Sequence, residues 1–207
     1  MRIAVIAASG RSGQAFVREA LKAGHTVHAG VRGTNPFARD DNLKIFQCDA
    51  TNIAEVTTLI ERCDAVVSLI GHVKGSDPFV QTAATKTLVR AAEAAGVNRV
   101  VSLTGVGVGT QHEWLKKALA LIAEFMGRIL KVDRLRDGIA HAHVFERSDL
   151  DWTVLKVLLL SDGEPGEFRL RARGVVKAPT PRREVARAVL QILERRSFVR
   201  EYPIISK

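Results

Sequence analysis

Arg2-Ile3-Ala4-Val5-Ile6-Ala7-Ala8-Ser9-Gly10-Arg11-Ser12-Gly13 is the stretch that decides the fold. Arg2–Ala7 is a short apolar run with β-branched residues, as a strand buried on both faces of a parallel sheet requires. From Ser12 to Ala23, residues Ala15, Phe16, Ala20, Leu21 and Ala23 recur close to helical spacing, and Gly24 stops the pattern. The pyrophosphate of a dinucleotide needs backbone N–H donors at a helix N-terminus and no bulky side chain in between. Gly10 lets the backbone approach the phosphates, and Gly13 lets the helix pack tightly on the strand. Two glycines at this spacing say little in isolation. Here the strand before and the helix after supply the context that a nucleotide site needs, and a plain tight turn is the competing reading.

The same alternation continues outward. Thr26–Val31 reads as a second strand, followed by a loop marked by Gly33, Asn35 and Pro36, and Leu43–Cys48 as a third. Asp49-Ala50-Thr51-Asn52 supplies caps for a helix over Ile53–Arg62, and Ala65–Ile70 is a fourth strand. Asp77 with Pro78 resembles an N-cap and first-turn proline opening a helix that ends at Gly96. Arg99–Thr104 is a fifth strand, and Gly105, Gly107 and Gly109 form a flexible connection. Glu113 to Lys131 has a broad apolar helical face, for which core packing is favoured over a lid, a dimer face or a membrane-surface contact. Arg134–Arg147 reads as helix, Trp152–Leu160 as strand, Glu184–Arg195 as helix and Tyr202–Ile205 as a last strand. Strands separated by helices argue for an α/β protein, a doubly wound parallel sheet with helices on both faces. The expectation is one domain over residues 1–207, with 158–181 as a small C-terminal cap on the substrate side.

Composition fits one globular domain. At 207 residues, with 46% hydrophobic and 26% charged, the chain buries a core without disulfides and is not a disordered sequence. Its longest apolar stretches, Ile3–Ala8 and Ala118–Ala123, are too short to span a bilayer. Arg2 leads straight into the first strand rather than into a secretory signal, so a cytoplasmic protein is expected. The cysteines, Cys48 and Cys63, form neither a disulfide framework nor a metal cluster, and read as reduced small hydrophobes. Lys and Arg exceed Asp and Glu by 31 to 22, giving +9. The excess concentrates between Pro165 and Arg200, with ten basic residues against three acids, and favours an anionic partner. Nucleic acid is not expected, because aromatic residues are only 5% and do not interleave with the basic ones. Phe168-Arg169-Leu170-Arg171-Ala172-Arg173 puts three arginines on one strand face. A solvent-facing edge strand guarded by charge is favoured there over a cationic rim for substrate.

Ile6-Ala7-Ala8-Ser9-Gly10-Arg11-Ser12-Gly13 resembles the G-A-T-G-x-x-G loop of the atypical short-chain dehydrogenase/reductases, and more narrowly the NAD(P)H-binding, NmrA-like group that includes flavin and biliverdin reductases. The resemblance extends over nearly the whole chain. Ser148–Lys156 is similar to the family's S-G-L-D-[WY]-T-I-[VL]-R segment, Leu160–Gly163 to its L-T-D-G, and Pro181–Ala186 to its S-R-x-D-V-A. The chain departs from the family at Ala7, which replaces the first loop glycine, at Asp149, and at Lys156-Val157, which replaces R-P on the substrate side. The resemblance implies a Rossmann-type fold and a nicotinamide cofactor. It places Ser9, Gly10, Arg11, Ser12 and Gly13 on the diphosphate and Asp49-Ala50 at the adenine. Leu69-Ile70-Gly71 would lie beside a ribose, with Thr104 and Lys156 near the nicotinamide end.

Arg32 ends the second strand, where NAD-preferring sites carry an acid that holds the ribose 2′-hydroxyl. A guanidinium there suits a 2′-phosphate, and Arg11 would add a second cation, so NADP(H) is expected over NAD(H). A solvated strand-end arginine is the alternative, as a helix-capping role is for Asp49. The single tyrosine, Tyr202, has Ser206 four positions on, which excludes the Tyr-x-x-x-Lys proton relay of conventional short-chain dehydrogenases. Of the six histidines only His72 and His141 fall where a nicotinamide would be within reach, and no catalytic residue is assigned. No metal-ligand cluster stands out. The expectation is hydride transfer from NADPH to a flavin, quinone or similar small conjugated acceptor, in a monomer or homodimer. The alternative is a non-catalytic NADP(H)-sensing regulator.

Overall fold

The structure is a computed structural model, and it describes residues 1–105 and 132–206. The helix expected over Glu113–Lys131, and Gly107 and Gly109, lie outside the described residues. In chain order the elements are β1 (Arg2–Ile6), α1 (Arg11–Lys22), β2 (Thr26–Val31), β3 (Leu43–Gln47), α2 (Ile53–Ile60), β4 (Ala65–Ser68), α3 (Val80–Ala95) and β5 (Arg99–Thr104). Then follow α4 (Val132–Glu146), β6 (Asp151–Lys156), β7 (Leu160–Ser161), β8 (Arg169–Arg171), β9 (Thr180–Pro181), α5 (Arg182–Glu194) and β10 (Ile204–Ser206).

The main sheet has eight strands in the order β3-β2-β1-β4-β5-β6-β10-β8. All its pairings are parallel except β10 with β8. Strand order reverses between β1 and β4, and the crevice at their carboxyl ends is where this class of sheet binds ligands. β1 is apolar on both faces because both faces are covered. Ile3 and Val5 pack with Phe16, Val17 and Ala20 of α1 and Val185, Val189 and Ile192 of α5. Ala4 and Ile6 pack on the other side with Val56 and Leu59 of α2, Leu88 and Ala92 of α3, and Phe145 of α4. Each such fully buried Leu, Ile or Phe contributes about 1.5–3 kcal/mol.

Two local features differ from the sequence reading. α3 starts at Val80, not at Pro78, because the Asp77 carboxylate folds back to accept from the Phe79 N–H at 2.7 Å and holds a turn there. Of the segment 158–181, β7 and β9 pair as a separate short ladder, while β8 is built into the main sheet as its edge strand. In β8 Arg169 and Arg171 are exposed and Leu170 is half-buried, the pattern of a charge-guarded edge.

Candidate cofactor site

The chain leaves β1 through Ala7, whose φ of 61° is left-handed, a conformation that favours glycine. The alanine that replaces the first loop glycine therefore carries backbone strain. The Gly10 N–H donates to the Ala7 carbonyl at 3.1 Å, and the Gln14 side chain donates to the Ser9 carbonyl at 2.8 Å, which fixes the turn. Gly13 is the indispensable position: a Cβ there would lie 2.3 Å from the Ala7 carbonyl oxygen and 2.5 Å from that of Ala8. α1 has no side-chain cap on Gly10 and no acid in its first turn. Its first backbone N–H groups and the positive end of its dipole are thus open to an anion.

Beside this turn is a cavity of about 460 Å³. It is walled by the carboxyl ends of four neighbouring strands: Ala7, Ser9 and Gly10 after β1, Arg32 after β2, Cys48 to Thr51 after β3, and Ile70 and Gly71 after β4. The structure therefore brings together Ser9, Gly10, Arg32, Asp49, Ala50, Ile70 and Gly71 from the sequence-derived set. The Arg32 carbonyl accepts from the Gln47 side chain at 2.8 Å, which steadies the exposed guanidinium-bearing residue at the rim. Asp49 Oδ1 accepts from the Thr51 N–H at 2.9 Å and from its hydroxyl at 2.7 Å. These bonds, in that order, hold the Asp49 carboxyl below the usual carboxylate range despite partial burial. The helix cap is instead Asn52, which accepts from the N–H groups of Ala54 and Glu55, so Asp49 is not the capping residue. Cys48 lines the wall as a buried thiol whose pKa burial pushes up to about 12.

The remaining positions lie elsewhere. Arg11 does not join Arg32; its guanidinium meets Asp162, which also accepts from Arg182 at 2.6 Å. Ser12 and Gly13 lie in the first turn of α1, while the Leu69 N–H donates to the Ile6 carbonyl at 3.2 Å. Thr104 and Lys156 face each other in register at the ends of β5 and β6, on the far side of the switch point. The Thr104 hydroxyl is buried and donates to the Gly138 carbonyl at 3.2 Å.

Neither histidine is freely presented. His141 is 1% exposed, bonds the Gly138 carbonyl through Nδ1 at 2.9 Å, and has its pKa lowered chiefly by burial. His72 turns inward, with Nε2 3.1 Å from Asp137 Oδ2 and 3.0 Å from the Pro78 carbonyl. Asp137 is fully buried and accepts from the Gln81 and Thr82 N–H groups at 2.8 Å each, so a carboxylate from α4 caps α3. Sequence reasoning missed this residue, because its partners lie 55 and 56 positions away. It also missed Val73, Lys74, Ser76 and Asp77, which wall the cavity from the loop after β4; Asp77 reads there only as a helix cap, and Lys74 beside Gly75 is the signal that could have pointed to the loop. Among the described residues no group of His, Cys, Asp and Glu could hold a metal ion, and no helix is long and apolar enough to cross a membrane.

A glycine-bounded turn, an uncapped α1 and a cavity at the switch point of a mostly parallel sheet are the features of a Rossmann-type fold. Residues 7–196 match the NAD(P)H-binding family, and the chain belongs to that family. Comparison with curated proteins finds no match. Among solved structures, a short-chain dehydrogenase/reductase from Veillonella parvula in complex with NADP is similar over 100% of this chain and 94% of its own, with 14% identity and a TM-score of 0.79. ChuY, an anaerobilin reductase from Escherichia coli O157:H7, matches 99% of this chain and 96% of its own at 17% identity and a TM-score of 0.76. A Burkholderia pseudomallei protein, provisionally described as exported, matches 100% of both chains at 26% identity and a TM-score of 0.74.

Proposed function

We propose that this protein is an NADPH-dependent reductase whose acceptor is a flat conjugated molecule such as a flavin or quinone. The observation that carries the reading is the cavity wall formed by Gly10, Arg32 and Asp49 beside the open N-terminus of α1. Open N–H groups suit a diphosphate, the Arg32 guanidinium suits a 2′-phosphate, and the ionised Asp49 keeps its second oxygen for the exocyclic amine of adenine. The bound nicotinamide would supply a hydride, two electrons and one proton, to the acceptor. Thr104 and Lys156, paired at the ends of β5 and β6, are the described residues this reading sets beside the nicotinamide.

Tyr202 offers no proton relay. Its hydroxyl donates to Glu146 at 2.6 Å, and burial followed by that carboxylate raises its pKa. Among the described residues His141 is buried and His72 is committed to Asp137; in this reading the second proton of the reduced acceptor comes from water, as a flavin or quinone permits. The protein then works by positioning. The test is NADPH oxidation by the purified protein with flavin and quinone acceptors. Turnover well above the protein-free rate is expected; tight NADPH binding with no turnover on any acceptor contradicts the reading and favours a cofactor sensor.

A further inference from the structure

Four basic residues in the last third of the chain have a carboxylate partner among the described residues. Lys177 meets Glu184 at 2.7 Å, Arg182 meets Asp162 at 2.6 Å, and Arg183 and Arg187 each meet Glu19 at 3.0 Å. Others, such as Arg169, Arg195 and Arg196, form no salt bridge among the described residues, and neither do Lys156, Arg171 and Arg173; of these, Lys156 is half-buried.

These three cations share one region of the sheet. Thr104 pairs in register with Lys156, Lys156 with Ile204, and Ile204 with Arg171. In-register neighbours project from the same sheet face, and strands lie about 4.8 Å apart, so Lys156 is one step from Thr104 and Arg171 about 10 Å beyond Lys156. The turn after β8 folds back over this row: Gly174, with φ of 134°, comes so close that a Cβ on it would lie 3.3 Å from Ile204 Cδ1. That turn brings Arg173 near enough to Lys156 that, after burial, it is the second cause lowering the lysine pKa. Burying an ammonium group and setting other cations beside it both cost free energy, and an anion bound among them offsets both. The row starts at Thr104, at the nicotinamide end rather than at the adenosine cavity.

We propose that Lys156, Arg171 and Arg173 form a subsite for an anionic group, a carboxylate or phosphate, carried on an arm of the hydride acceptor. The inference rests on the reductase reading and adds the substrate class: a conjugated ring near Thr104 with an acidic arm running along the β6–β10–β8 row. The subsite discriminates between charged and neutral forms of one acceptor.

The experiment compares matched pairs of acceptors with NADPH: flavin mononucleotide against riboflavin for a phosphate arm, and a carboxylate-bearing quinone against its methyl ester for a carboxylate arm. The parent protein is expected to prefer the charged member of at least one pair in kcat/KM, and the pair identifies the anion. Lys156→Met, which keeps the stem, and the exposed double variant Arg171→Ala/Arg173→Ala are each expected to cut that preference roughly tenfold or more, the usual worth of charge-assisted hydrogen bonds. No preference in the parent, or a preference untouched by both variants, overturns the subsite. If no acceptor turns over, the reductase reading fails and the subsite is judged separately by flavin fluorescence quenching with the NADP-loaded protein. Tighter flavin mononucleotide than riboflavin binding, weakened in both variants, supports it, and equal binding overturns it. Salt-sensitive binding of mixed-sequence DNA, lost in the double variant while the paired acceptors behave alike, also overturns it in favour of a polyanion surface.

Discussion

Replacing Gly13 by Ala tests whether close approach of α1 to β1 builds the phosphate site. The added Cβ would meet three backbone atoms, at 2.3, 2.5 and 2.7 Å, where ordinary contact begins at 3.4 Å. None of them is the flexible end of a side chain, so the start of α1 has to retreat by about 1 Å. That retreat loosens Phe16, Val17 and Ala20, each at most 1% exposed. Overpacking of this kind costs about 1–3 kcal/mol, and contact with backbone puts Gly13→Ala near the upper end. Ala in a helix gains back roughly 0.5–1 kcal/mol over Gly, leaving a net loss of about 2 kcal/mol. For a domain of this size that lowers Tm by about 4–8 °C. Gly10→Ala is the control, since its Cβ would meet only the Ala7 carbonyl oxygen, at 3.3 Å. It is expected to leave Tm nearly unchanged while crowding the diphosphate and weakening NADPH. Scanning calorimetry and NADPH titration of both variants check this. A Gly13→Ala protein that melts with the parent and binds NADPH equally well refutes the reasoning.

Arg32→Ala is expected to weaken NADPH binding about 10-fold or more and NADH far less, measured by calorimetric titration of both, because only the former offers the 2′-phosphate. Ala7→Gly relieves a left-handed alanine that costs about 1–2 kcal/mol, against about 0.5–1 kcal/mol of lost chain entropy, so Tm should rise by up to a few degrees in a melting scan. Burial alone would raise the Glu19 pKa, but the bonds from Arg187 and Arg183 outweigh it and hold it below 4.5. A depressed carboxylate pKa gives stability that is present above the unfolded value and lost as pH falls through the folded one. The Tm gap between the parent and Glu19→Gln should therefore be constant from neutral pH to about 5 and close below about 4.5, and high salt should narrow it.

The parallel sheet was legible because burial on both faces leaves a signature in each strand: Ala-Val-Val-Ser and Arg-Val-Val-Ser-Leu-Thr admit few other readings. The glycine-bounded turn and the place of Arg32 at the end of β2 were legible because β1, α1 and β2 are consecutive, so their geometry is local. What escaped depends on distant partners. The start of α3 is set by Asp77 nearby but also by Asp137 from α4, and nothing near Val80 announces the latter. Arg11 points to Asp162, 151 positions away, so its direction could not be read from the turn that carries it. His141 looked accessible from its place before β6, yet its helix rotates it into the core beside Phe145. Asn52 rather than Asp49 caps α2 because only Asn52 directly precedes the helical run, while Asp49 is spent on Thr51. The strain at Ala7 could not be read from an alanine, since its φ is imposed by the Gly10-to-Ala7 bond.

The most direct measurement is a calorimetric titration of the unaltered protein with NADPH and, separately, with NADH. The predicted result is saturable binding of NADPH at least about tenfold tighter than that of NADH. Heat from neither coenzyme, or tighter binding of NADH, contradicts the assignment of α1 and Arg32.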